Sequence, residues 1–145
     1  MDQTKLKLAQ VEYGTSMEMP YAEGIKAGFP SPAQDYLTDS IDLNKEIVKH
    51  KETTFYARVD GDSMQGAGIC NGDIVVIDKS LDARNGDYIA AFIDGEFTLK
   101  QYKTDATARC AWLMPANPAF APIKVTEENN FIIWGVVTHT IKKLR

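Results

Sequence analysis

Gly61-Asp62-Ser63-Met64 stands between a β-rich run, Phe55-Tyr56-Ala57-Arg58-Val59, and the loop Gly66-Ala67-Gly68. A serine at a strand end, on a backbone loosened by glycines, can turn its hydroxyl outward with main-chain N–H groups beside it. An acyl-transfer nucleophile needs that arrangement, because neighbouring amides can hold the oxyanion that forms when the serine attacks. The same residues also suit a turn serine that caps a short helical turn. A nucleophilic serine needs a base as well. The two histidines, His50 and His139, follow a short helical pattern and lie in the last β-rich run, and neither spacing ties them to Ser63. A lysine is the other option, provided burial keeps it neutral by penalising its ammonium form. In the run from Glu96 to Lys103, strand alternation puts Phe97 and Leu99 on one face and Thr98, Lys100 and Tyr102 on the other. Lys100 can thus be part-buried among hydrogen-bonding neighbours, although a solvated strand lysine satisfies the same pattern. The residues suggest a Ser63/Lys100 dyad without establishing one.

No other chemistry is legible. There is no phosphate loop, no Rossmann glycine pattern and no paired-histidine zinc motif. Cys70 and Cys110 are too few for a disulfide framework and lack metal-ligand spacing. They read as free thiols in a reducing compartment. Neither a metal nor a cofactor is expected. With 16 basic and 20 acidic residues the net charge is -4, which argues against neutralising nucleic-acid phosphates as the main business, so little direct DNA binding is expected. The basic tail Lys142, Lys143 and Arg145 reads as a solvated end. No apolar run approaches the roughly 18 residues of a spanning helix, and the N-terminus lacks the apolar stretch of a signal peptide. A cytoplasmic protein is expected, with no membrane association.

The elements that must position these residues come next. At 145 residues the chain is about one domain long. Residues 1–32 are rich in Gly and Pro, with scattered apolar residues and no helical period, so they read as an extended arm that docks on a surface. Residues 33–145 read as a β-rich catalytic domain. Asp42 can cap a short helix from Leu43 to Val48. Beyond Thr53 come strand patterns at 55–59, 73–78, 88–93, 96–102, 111–114 and 131–138, with Asp94-Gly95 as a hairpin turn between two of them. Without helical crossovers, these predict a mainly β fold: a partly open, mostly antiparallel β-barrel or folded sheet with one short helix and an N-terminal arm.

Gly61-Asp62-Ser63-Met64, Gly68-Ile69, Gly72-Asp73, Asp94-Gly95-Glu96-Phe97-Thr98 with Lys100, Pro115-Ala116-Asn117-Pro118 and Gly135-Val136-Val137 together resemble the self-cleaving serine peptidases of the LexA and UmuD group. The interval of 37 positions from Ser63 to Lys100 suits that family. Upstream, Ala27-Gly28-Phe29-Pro30-Ser31-Pro32-Ala33 and Ile41-Asp42-Leu43-Asn44 resemble its UmuD-type branch, whose members are accessory subunits of error-prone DNA polymerases. The resemblance covers residues 27–145. It implies Ser63 as nucleophile, Lys100 as general base, the Ser63 and Met64 amides as oxyanion donors, and Ala27-Gly28 as the bond cut by the protein's own site. It further implies a homodimer, stimulation by a RecA filament on single-stranded DNA, and service of the shortened form to a UmuC-type Y-family polymerase in the SOS response to DNA damage. The stretch before Ala27 is too short for a helix-turn-helix domain, so a LexA-type repressor is not expected, and no membrane anchor is seen for a signal peptidase. The alternative is a non-catalytic β-barrel interaction module whose arm pairs with a partner.

Overall fold

The computed structural model describes residues 5–10, 17, 19–21 and 39–145. In chain order the elements are β1 (Lys5–Gln10), β2 (Met19–Tyr21), β3 (Asp39–Ile41), α1 (Leu43–Ile47), β4 (Thr54–Asp60), β5 (Ile74–Asp78), β6 (Tyr88–Ile93), β7 (Glu96–Asp105), β8 (Cys110–Met114), β9 (Ile123–Val125) and β10 (Phe131–Ile141). They divide between two compact units, one of Met1–Val11 with His50–Arg145 and the other of Glu12–Lys49.

The larger unit holds an eight-stranded sheet in the order β1-β4-β5-β10-β6-β7-β8-β9. Every pairing in it is antiparallel. The sheet is open, yet it curls far enough that β1 comes within 8 Å of β7. This is the expected folded sheet rather than a closed barrel. Curling buries both faces. Along β6, Ala90 joins one apolar cluster with Val59, Met64, Val75, Ile77 and Leu99, while Ile89 and Ala91 join a second with Leu113 and Val136. β5, between β4 and β10, accordingly reads as a continuous apolar run instead of an alternating one. Asp94 (φ 48°) and Gly95 (φ 85°) both adopt positive φ, the backbone that a two-residue hairpin turn requires, and they set the β6–β7 register that pairs Lys100 with Ile89 and Thr98 with Ala91.

The smaller unit pairs β2 with β3 and carries α1. Asp42 caps α1 as expected, its side chain accepting the Asn44 N–H at 3.1 Å. The helix ends one residue earlier than the sequence pattern suggests. Four strands go beyond the expectation: β1, β2, β3 and the three-residue β9, all short or low in β-branched residues, so that pairing partners rather than propensity define them. β7 also runs on to Asp105, because β8 supplies a ladder as far as Cys110. No helix among the described residues is long and apolar enough to cross a membrane.

Candidate active site

β4 ends at Asp60, and the chain enters a loop closed by a single 3₁₀ turn, Gln65–Ala67. A second segment, Pro115-Ala116-Asn117, latches this loop. The Ala116 N–H donates to Ser63 O at 2.7 Å, the Gly66 N–H donates to Ala116 O at 2.6 Å, and Asn117 Nδ2 donates to Asp62 O at 3.0 Å. The approach is so close that a Cβ on residue 66 would stand 2.5 Å from Ala116 O, so this position requires glycine. Met64 is fully buried in the apolar cluster and anchors the loop from inside. Ser63 is therefore held on both sides, by the latch and by the core, and is itself 0% exposed. A shallow depression of about 450 Å³ adjoins the latch, lined by Gly66, Ala116, Asn117, Pro118, Phe120 and others.

β7 brings the lysine. Its alternation sends Leu99 into the cluster with Met64 and turns Thr98 and Lys100 the other way, as the sequence pattern suggests. Lys100 is 0% exposed, more deeply buried than the part-burial expected of it. Its Nζ lies 3.0 Å from Ser63 Oγ, 2.9 Å from Thr98 Oγ1 and 3.1 Å from the Leu99 carbonyl oxygen. All three partners are uncharged. An ammonium stripped of water and given only neutral dipoles loses stability relative to the free amine. Burial accordingly lowers the Lys100 pKa from an ordinary 10.5 to about 8, against a weaker upward pull from Glu96. In the neutral form two N–H bonds remain for Thr98 Oγ1 and Leu99 O. The lone pair is then left facing Ser63 Oγ, where it can accept the hydroxyl proton.

The other titratable groups are engaged elsewhere. His50 Nδ1 meets Asp78 Oδ2, and Asp78 also accepts from Thr53 Oγ1 at 2.9 Å, Ser80 N at 2.9 Å and Ser80 Oγ at 2.7 Å. Burial would raise the Asp78 pKa, but these donors, His50 first, hold it down to about 2. His139 contacts the neighbouring Thr138 hydroxyl at 2.8 Å. Cys70 and Cys110 are half-buried free thiols. Lys142, expected as part of a solvated tail, instead pairs with the buried Asp73, which also accepts the Cys70 N–H at 2.9 Å. Among the described residues no cluster of three or more His, Cys, Asp or Glu side chains is set to hold a metal. Ala27 and Gly28 lie outside the described residues. Sequence reasoning missed the latch role of Ala116 and Asn117; the only signal was Pro115-Ala116-Asn117-Pro118 itself, a proline-bracketed turn between strands.

The sequence matches the family model of Peptidase S24-like proteins over residues 14–138. The chain belongs to the S24-like peptidase family. It is 42% identical over 125 residues to Protein SamA of Salmonella typhimurium (strain LT2), covering 86% of this chain and 85% of that protein. Protein MucA of Escherichia coli is 40% identical over 122 residues, covering 83% of this chain and 82% of MucA. Protein ImpA of Escherichia coli is 38% identical over 131 residues, covering 86% and 83%. These are UmuD-like proteins, so within the S24-like peptidases the chain sides with the UmuD type. Membership brings a serine-peptidase kind of activity.

Proposed function

We propose that this S24-like peptidase cuts its own chain between Ala27 and Gly28 with Ser63 as nucleophile and Lys100 as general base. The shortened form then serves as accessory subunit of a Y-family translesion polymerase in the SOS response. The observation that carries the chemistry is the Nζ–Oγ approach of 3.0 Å in a fully buried setting where every lysine partner is neutral. Neutral Lys100 takes the Ser63 hydroxyl proton as Oγ attacks the Ala27 carbonyl carbon. The resulting oxyanion is received by the Ser63 and Met64 N–H groups, which immediately precede the 3₁₀ turn. The Lys100 ammonium passes its proton to the departing Gly28 nitrogen, and the Ser63–Ala27 ester is hydrolysed by a water that Lys100 deprotonates in turn.

The substrate is part of the same chain, so docking replaces a bimolecular encounter and a modest base suffices for one turnover. A RecA filament need only favour the docked arm to act as co-protease, since a ligand shifts an equilibrium by its preference for one state. The UmuD-type resemblance supports a homodimer as the working form. Intact mass after incubation across pH 6 to 10 tests the reading: a species beginning at Gly28 is expected, in growing yield toward alkaline pH. An unchanged mass at every pH with the filament present, or a new N-terminus elsewhere, overturns it.

A further inference from the structure

β1 lies upstream of the bond proposed to be cut, yet it is a strand of the catalytic sheet. It pairs with β4 over six positions, from Lys5 opposite Asp60 to Gln10 opposite Phe55. On the far side of β4, Val59 spends its N–H on Asp73 O at 2.8 Å and its carbonyl on the Gly72 N–H at 2.9 Å. Groups alternate along a strand, so the N–H and C=O of Arg58 and Asp60 turn toward β1, and the pair Lys7–Arg58 exchanges ladder bonds. Leu6, opposite Val59, is half-buried against the cluster that includes Met64 and Leu99, the chain neighbours of Ser63 and Lys100. β1 thus covers a sheet edge that would otherwise present unpaired polar backbone and an apolar seat.

A cut between Ala27 and Gly28 breaks one covalent bond and no bond of this ladder. We infer that the β4 edge is a strand-docking surface whose occupant is the chain's own β1, and that the fragment 1–27 stays on it after the cut as a noncovalent strand. The retention step rests on the self-cleavage proposed above; the docking surface does not. Cleavage changes the effective concentration of β1. Tethered, it is held at the high local concentration of an intramolecular partner; once cut, its occupancy depends on total concentration and it becomes exchangeable. The edge selects for an extended, antiparallel segment with an apolar side chain at the Leu6 position, backbone hydrogen bonds giving affinity and the Leu6 seat giving selectivity.

The test of the docking surface uses the full chain carrying Ser63→Ala, so that no cut intervenes. A fluorescent peptide of residues 1–12 is titrated against this protein and against the same protein bearing Leu6→Asp, which removes the apolar anchor, or Lys7→Pro, which removes a ladder donor. The peptide is expected to bind either double variant at least tenfold more tightly than Ser63→Ala alone, and a peptide carrying Leu6→Asp is expected to bind none. Equal or absent binding throughout overturns the docking surface. For retention, wild-type protein cut at alkaline pH is run on a sizing column at two concentrations. The 27-residue piece is expected to travel with the core when concentrated and to separate on dilution; separation at both concentrations overturns retention. If no cut forms, the peptidase reading has failed, and the peptide titration alone decides the strand site.

Discussion

Two polar pairs in the same sheet are built to opposite ends. Lys100 meets Ser63 among uncharged hydrogen-bond partners, and burial outweighs the pull of Glu96 and drives its ammonium toward the neutral amine. Asp78 meets His50 and is surrounded by donors from Thr53 and Ser80, which hold its carboxyl ionised in spite of burial. The first pair is arranged to give up a charge and the second to keep one. A histidine–aspartate couple beside a serine invites comparison with a catalytic relay. Here that serine, Ser80, donates its hydroxyl to the carboxylate, and a carboxylate whose pKa is held down to about 2 is a poor base. The unlikely base, a lysine, sits against the buried serine. Residue type alone therefore does not say which pair is poised for proton transfer; the charge state that the surroundings favour separates the two.

The comparison breaks if removing either member of the first pair leaves self-cleavage running. Ser63→Ala and Lys100→Ala are each expected to lower the cleavage rate by about 10³-fold or more, with folding retained by circular dichroism. Lys100→Arg should be as inactive at every pH, because its charge cannot be shed. Next comes the pH profile of the wild-type protein. With a Lys100 pKa of about 8, the neutral fraction at pH 6 is about a hundredth of its plateau, so the rate should climb about tenfold per pH unit and flatten above pH 8. A flat profile would take Lys100 out of the mechanism. Gly66→Ala forces a Cβ against Ala116 O and shifts the Ser63 loop, which should slow cleavage by about 10²-fold while the core still melts cooperatively.

Smaller effects sharpen the contrast through stability. The folded protein lowers the Lys100 pKa, so between pH 8 and about 10.4 the unfolded chain binds more protons, and the lysine's burial costs less as pH rises. The stability of Lys100→Met relative to wild type, read from urea midpoints, should fall by about 2–3 kcal/mol from pH 7 to pH 10. Asp78 has the opposite sign. Its depressed pKa stabilises the fold above about pH 4, and that contribution is lost as pH falls toward 2. Asp78→Asn should cost about 1–2 kcal/mol at pH 7, less than the full shift because His50 is half exposed and solvent screens the pair, and the gap should close near pH 2. His50→Ala should leave the cleavage rate within about twofold, since His50 bonds Asp78 and the Lys100 amine bonds Ser63, Thr98 and Leu99.

Much of this was legible from the chain. The Asp94-Gly95 turn, the β-branched run of β5 and the Asp42 cap are local signals, and each led to the element observed. The two-residue period placed Lys100 on the face of Thr98. Period, however, says which face a side chain takes and nothing about what covers that face. The resemblance supplied the pairing of Ser63 with Lys100, which the residues alone only suggested.

What the tertiary structure decided is everything that depends on distant segments meeting. Lys100 is fully buried because the sheet curls until both its faces are covered, and its pKa falls for that reason alone. Ser63 stands where it does because Ala116 and Asn117, from the far side of β8, bond to its loop. The sequence marked residues 1–32 as an arm that docks, but the seat of β1 on the β4 edge required knowing which strand of the sheet was left without a neighbour. Local chemistry along the chain determines the strands, turns and caps, since those energies lie within a few residues. Burial and charge state are set by atoms far apart in sequence, and only the folded sheet brings them together.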